Sequence, residues 1–268
     1  MSSLAAVLLA TLVVLTPVGS FADGFFTIFQ VHQFAPVQVT LSDLTGLPNL
    51  TNYGTMRMSR SGKAQKVADL AEAASEGHQA VLTPDKLPDD VPPAVTYLVA
   101  QPATATFTFS AAKARASASR LGKALPAMPA SLNGSSLAIT IGPVVLTEYG
   151  SGTGLPTLLL AQAPEPRVTT TGATAQTIIN YLLAQPGISP QLAAQIRAIG
   201  NPSTTLPIPI PVNIAQGKTI QVRGVRGVEV GDNTGIGSAV LWTEHGLVHG
   251  AVGTLSETEL LAIVAGLH

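Results

Sequence analysis

The sequence contains no cysteine. Disulfide staples, thiolate nucleophiles and cysteine-based zinc or iron–sulfur sites are therefore excluded. The redox compartment is not fixed by this, because a domain of this size folds without disulfides in either setting. Charge is also scarce: Asp, Glu, Lys and Arg make up 11% of the 268 residues, against about 25% in an ordinary globular chain. The surface must then be built mainly from Ser, Thr, Asn, Gln, Gly and Pro. Aromatic residues are 4% and the net charge is −1, with no basic block. A chain with so few cations and stacking rings is poorly equipped to hold a phosphate backbone, and no nucleic-acid partner is expected.

Cations are missing from the amino terminus altogether: the first Lys or Arg is Arg57. Leu4–Val18 is instead an apolar run, LAAVLLATLVVLTPV, followed by Ser20-Phe21-Ala22 in the small-x-small pattern of a secretory cleavage site. The run alone is shorter than the roughly 20 residues a spanning helix needs, but carried through to Ala22 it just crosses. Residues 1–22 are expected to be a signal peptide or membrane anchor, with an N-terminal apolar helix. Without cations the positive-inside rule gives no orientation. Either a start lying further upstream or a weak signal accounts for the missing charge. Five of the seven phenylalanines follow closely, at Phe21, Phe25, Phe26, Phe29 and Phe34, a placement that suits the membrane–water interface or an amphipathic element packed on the domain.

What is present in quantity is apolar side chain, 46% of the residues, enough for a sizeable core. Three regions are read: the leader at 1–22, a juxtamembrane connector at 23–62, and an extracytoplasmic domain at 63–268. The connector is rich in Pro, Gly, Asn and Ser, with one strand near Val37–Leu41. A helix is expected over Gln65–Glu76, ending at Gly77. Strands follow at Ala94–Val99, at the alternating Thr104–Phe109, and at Leu137–Thr140, Val144–Tyr149 and Thr157–Gln162. Ser110 caps a helix over Ala111–Leu121, and two more helices run near Ala175–Ala184 and from Ser189, with Pro190 in the first turn, to Gly200. Pro207, Pro209 and Pro211 make Asn201–Asn213 an extended edge or arm and not a central strand.

The tail gives strands at Thr219–Arg223, Val228–Val230, Ala239–Thr243 and Leu247–Val252, the last two joined at Glu244-His245-Gly246. A final helix opens on a capping box, Ser256 with Glu259, and Leu260, Leu261 and Val264 give it an apolar face. Strands with helices inserted point to an α+β fold, mainly an antiparallel sheet with helices packed on one side.

No catalytic, cofactor-binding or metal site emerges from these residues. His245 and His249 have the four-residue spacing of a helical metal pair, but they fall in a turn and a strand with no partnering carboxylate, and both read as solvated, one in the turn and one on a strand face. The Gly-rich stretch Gly231–Ser238 lacks a Walker lysine and lies between strands, so its glycines read as turn residues, with Asp232 and Asn233 as turn formers. No nucleophile elbow occurs. The adjacent Asp89 and Asp90 read as a solvated turn, and Trp242 as a core anchor of the last hairpin.

The carboxy-terminal fifty residues carry a resemblance. The strand ending in Trp242, the turn at Gly246, the strand Leu247–Val252, the link Gly253-Thr254-Leu255-Ser256 and the capped helix with Glu259-Leu260-Leu261-Ala262 resemble the ending of an uncharacterised bacterial family. That family consists of extracytoplasmic regions of anti-sigma-factor-type membrane proteins, distantly similar to periplasmic proteins of the RseB/MucB and LolA types. Phe21–Phe34 is similar to the stretch directly after their membrane helix. Two departures are evident: His249 stands where an aromatic is usual, and no zinc-binding cytoplasmic module precedes the apolar run.

The resemblance implies a cell-membrane protein facing out of the cytoplasm, or a secreted one if the leader is cleaved, with a sheet curved in the LolA/MucB manner. The expected function is a non-catalytic envelope sensor or regulator that binds a protein or peptide, by strand addition at an exposed edge such as one near the proline arm. The alternative is a carrier for a lipid or other apolar ligand in a cavity between sheet and helices. No cofactor or metal is expected in either case.

Overall fold

The computed structural model describes residues 32–59, 64–122, 124–150, 156–199 and 204–268. The expected apolar helix within residues 1–22 and four of the five clustered phenylalanines lie outside them. The described chain is a mixed α+β fold with mostly antiparallel sheets, of fourteen strands and six α-helices. In order these are β1 (Gln33–Val39), α1 (Leu41–Gly46), β2 (Gly54–Met58), β3 (Gln65–Val67), α2 (Leu70–Gly77), β4 (Val95–Ala100), β5 (Ala103–Phe109), α3 (Ala111–Leu121), β6 (Ser136–Ile141) and β7 (Val144–Tyr149). Then come β8 (Leu158–Pro164), β9 (Arg167–Thr171), α4 (Ala175–Leu183), α5 (Pro190–Ala198), β10 (Thr205–Pro211), β11 (Ala215–Val222), β12 (Val225–Asp232), β13 (Ser238–Glu244), β14 (Leu247–Gly253) and α6 (Glu257–Ala265).

Local signals set most boundaries. Ser110 accepts a hydrogen bond from the Lys113 amide at the start of α3, and Gly122 ends the helix in the left-handed region at φ 61°. Ser189 caps α5 with Pro190 in its first turn. Ser256 and Glu259 form the reciprocal capping box of α6. The helix expected over Gln65–Glu76 is a correction: Gln65–Val67 is β3, paired antiparallel to β4, and α2 starts only after Asp69, which accepts from the Glu72 amide. A three-residue strand leaves no periodicity to read, and the cap decides the helix start. The strand β9 escaped the sequence reading as well, because its RVTTT exposes four of five positions and shows no apolar face.

The single sheet expected from the sequence is also corrected, to three. β11-β12-β13-β14-β8-β7-β4-β3 form one antiparallel sheet of eight strands, β2-β5-β6-β9 form a second of four, and β1 pairs with β10 in a parallel ribbon. On one face of the large sheet Leu260, Ile263 and Val264 of α6 pack on Leu160, Val240, Trp242 and Ala251, while Ala73 of α2 covers Val99 and Val145. Its other face meets the ribbon through Phe34, Ile208 and Ile210. The opposite side of the ribbon presents Val37 and Val39 to a core shared with Tyr53, Phe107, Phe109 and Leu137 and with Ile178, Leu182, Leu192 and Ile196 of α4 and α5.

The folded body consequently includes Gln33–Tyr53, well inside the region read as a connector to residue 62. Phe34, Val37, Val39 and Tyr53 are all buried. Pro and Gly density is a property of the local sequence, whereas membership of the core is fixed by the partner strand β10, which is distant in sequence.

Candidate functional site

The carboxy-terminal hairpin gathers the polar residues that sequence alone leaves scattered. β11–β12 and β13–β14 each close on two left-handed residues, Arg223 (φ 49°) with Gly224 (φ 80°) and His245 (φ 53°) with Gly246 (φ 77°). Two successive positive φ values are what a hairpin of this right-handed twist requires. Both turns lie at the same end of the large sheet, because β11 and β13 run in the same direction. Arg223 donates from Nε to Glu244 Oε2 at 2.8 Å and from Nη1 to the Leu267 carbonyl at 2.6 Å. It thereby ties two hairpins to the chain end. Trp242 Nε1 donates to the same Glu244 oxygen at 3.3 Å. Burial would raise the Glu244 carboxyl, but the hydrogen bonds from Arg223 and Trp242 hold it below the usual carboxylate range.

Trp242 and His249 are directly opposite in the β13–β14 register and stack, with ring centroids 5.0 Å apart and planes 12° apart. Trp242 is 1% exposed, the hairpin anchor that the sequence suggests; His249 is 3% exposed, a correction to its reading as a solvated strand-face residue. Burial pushes the His249 imidazole down to about 4, so it is neutral near pH 7. His245 is 87% exposed in the turn, so the two histidines face different environments. Next along the same row, Gln162 accepts from the Leu82 amide at 2.6 Å and donates to the Ala80 carbonyl at 3.1 Å, pinning the segment after α2 onto β8. Arg223, Trp242, Glu244 and Gln162 are each spent on a neighbour. The cluster is a clamp, in which no nucleophile meets a base.

A second cluster lies at α6. Lys218 Nζ is 2.7 Å from Glu257 Oε2 and 3.0 Å from Glu229 Oε2. The hydrogen bond that Lys218 donates to Glu257 first, and the close Glu229 carboxylate second, raise the Lys218 ammonium. Glu229 is almost wholly buried, and neither of its oxygens receives an aligned hydrogen bond. Its compensation is the ion pair alone. Sequence reasoning passed over Arg223, Glu229 and Glu244; the available signal was Glu229 between Val228 and Val230, an ionisable side chain inside an aliphatic strand.

The remaining histidines are dispersed. His32 is 2.8 Å from Glu165, His268 is 3.0 Å from Asp85, and His78 caps α2. Among the described residues no group of three or more His, Asp or Glu is placed to hold a metal ion. The Gly-rich stretch is a turn between β12 and β13. Asp232 Oδ1 accepts from the Thr234 amide and hydroxyl and the Ile236 amide, which holds its carboxyl low despite partial burial. Asp89 and Asp90 are exposed in a turn.

The strand edges are the part of the surface still open to hydrogen bonding, and they differ. In the ribbon, Thr204 O accepts from the Gln33 amide and the Val212 amide donates to Val39 O. The even-numbered residues of β10 therefore face β1, and Pro207, Pro209 and Pro211 lie on the outer edge, where no amide is needed and none is offered. The outer edge of β1 is closed by Pro36, and by Gln195, which accepts from the Gln38 amide at 2.8 Å and donates to its carbonyl at 2.9 Å.

β11 is open. The bond from the Asp232 amide to Gly237 O fixes the parity of β12. The amides and carbonyls of Gly217, Thr219 and Gln221 consequently point away from the sheet. In the same way the bond from the Ser59 amide to Thr104 O turns Thr55 and Arg57 of β2 towards β5 and turns Gly54, Met56 and Met58 outward.

No protein-family model, characterised protein or solved structure matches the chain.

Proposed function

We propose that the chain is a non-catalytic domain displayed on the outer side of a cell membrane by residues 1–22, where it binds a protein or peptide partner by accepting a strand on an open sheet edge. The contrast among edges supports this reading. Edge strands normally carry a device against pairing. Prolines and Gln195 supply one for both edges of the ribbon, whereas β11 and β2 keep outward amides and carbonyls of their own. The proline arm, the place the sequence suggests for strand addition, is thus the edge least suited to it.

The resemblance of the last hairpin and helix to extracytoplasmic domains of anti-sigma-factor-type proteins, with their curved LolA/MucB-like sheets, supports the location. A lipid carrier needs a cavity of at least several hundred Å³. Here Phe34, Ile208 and Ile210 pack on one face of the large sheet and Leu260, Ile263 and Val264 on the other, so the peptide reading ranks first.

The test uses the full chain in its own membrane, with a photo-crosslinking amino acid at Gln221 or at Met58. Protein adducts from either position, with no lipid co-purifying in mass spectrometry, are the expected outcome. Bound lipid without protein adducts, or recovery of the chain from the soluble cytosolic fraction, would overturn the proposal.

A further inference from the structure

The net charge of −1 conceals a segregation. On the four-stranded sheet and its helices α1, α3, α4 and α5, the described cations are Arg57, Lys113, Arg115, Arg120, Arg167 and Arg197, all of them exposed. The carboxylate on those elements is Asp43, buried and consumed by the α1 cap, where it accepts from the Thr40 amide at 2.8 Å. Among the described residues none of the six cations is ion-paired; the ion pairs all lie on the eight-stranded sheet, its loops and the chain end, with His32 holding Glu165 at the β8–β9 corner. The field around the smaller sheet is positive and uncompensated, which selects an anionic partner.

The same sheet carries the open edge β2. Lys113 Nζ donates to the outward carbonyl of Gly54 at 3.1 Å and closes that end. Met56 and Met58, with outward amides and carbonyls, remain. Their side chains share the face of Phe107 and Ala105, their cross-strand neighbours, and are 42% and 47% exposed. Arg57 projects from the other face beside Thr106. The β2 edge thus offers three things together: backbone hydrogen bonds, apolar contact on one face, and a cation on the other.

We propose that β2 accepts an extended acidic segment of a partner protein as a fifth strand of the four-stranded sheet. This rests on the reading that the chain binds by strand addition, and it names the edge and the chemistry. Alternation in the incoming strand sets apolar side chains against Met56 and Met58 and carboxylates against Arg57. β11 is the weaker acceptor for such a segment, because Lys218 at its centre is already held by Glu229 and Glu257.

The test is fluorescence anisotropy on the full chain in neutral detergent. The probes are a labelled eight-residue peptide of alternating valine and glutamate and the same peptide with lysine for glutamate. Saturable binding of the glutamate peptide is expected, with the lysine peptide at least about tenfold weaker. Met56→Pro, which removes an outward amide and no ladder bond, and Arg57→Glu each weaken binding about tenfold. Thr219→Pro on β11 leaves it unchanged.

Thermal melts confirm that each variant folds, and Arg57→Glu carries the test if Met56→Pro does not. Failure of the glutamate peptide to bind, equal binding of the lysine peptide, or indifference to Arg57→Glu would overturn the proposal. So would capture by phosphatidylglycerol vesicles that Arg57→Glu weakens and Met56→Pro leaves intact, which assigns the cations to a lipid surface; residues 1–31 hold no Lys or Arg to imitate that preference. Protein crosslinks from Gln221 with no peptide response at β2 would refute this edge and leave the general reading standing.

Discussion

His249 is held neutral inside the sheet, and folding stability depends on pH through it. Its imidazole sits near 4 in the folded protein, against about 6.5 in an unfolded chain. Below 6.5 the unfolded state binds a proton that the native state refuses, so stability is lost as pH falls from 6.5 towards 4. The loss between pH 7 and pH 5 is roughly 2 kcal/mol by linkage. Urea titrations at the two pH values, followed by the emission of Trp242, the single tryptophan, should show that loss in the native sequence and a much smaller one in His249→Phe.

Arg223 gives the second residue-scale prediction. Arg223→Ala leaves Glu244 half-enclosed without its cation and the Leu267 carbonyl without its donor, and should cost about 3 kcal/mol. Arg223→Met with Glu244→Leu should recover most of it, as chemical denaturation of both variants would reveal. At this scale the sequence was partly legible. A lone Trp in an aliphatic hairpin announces an anchor, but the side on which a neighbouring residue lies is readable from alternation only when one face of the sheet is wet. Here β14 is covered on both faces, and Leu247–Gly253 has no polar side to give His249 away.

At the scale of elements, the outward and inward positions of β11 make opposite predictions. Thr219→Pro deletes an amide that bonds to nothing in the sheet and should cost less than about 1 kcal/mol. Ile220→Pro deletes an amide facing β12 and should cost about 3 kcal/mol or more. Thermal melts of the two variants distinguish them, and equal losses would refute the assigned parity. Helices were the most legible elements, because their ends are written in local chemistry: Ser110, Ser189 and Ser256 each cap the helix expected of them. β2 and β9 were the least legible. Each is short, carries Gly or Thr, and owes its strand state to a partner far along the chain.

At the scale of the whole molecule, the ribbon is the joint. Its two faces belong to two different cores, with Ile208 and Ile210 in one and Val37 and Val39 in the other. The two antiparallel sheets should accordingly unfold together, with coincident transitions by Trp242 emission and far-ultraviolet circular dichroism. Ile210→Ala, at a position 2% exposed, should lower stability by about 3 kcal/mol. Separate transitions in the unaltered protein would refute the role of the ribbon as the joint.

The amino-acid sequence by itself determined what short-range chemistry determines: the α+β class, the capped helices, the tight Gly-bearing turns and the edge character of the proline arm. Caps, turns and missing amides act within a few residues and need no distant partner. Only the tertiary structure decided that three sheets form and not one, that the supposed connector enters the core, that His249 is dry, and that cations collect around one sheet. Those outcomes depend on which strands meet, and strand pairing is a contest among long-range contacts that no local window contains.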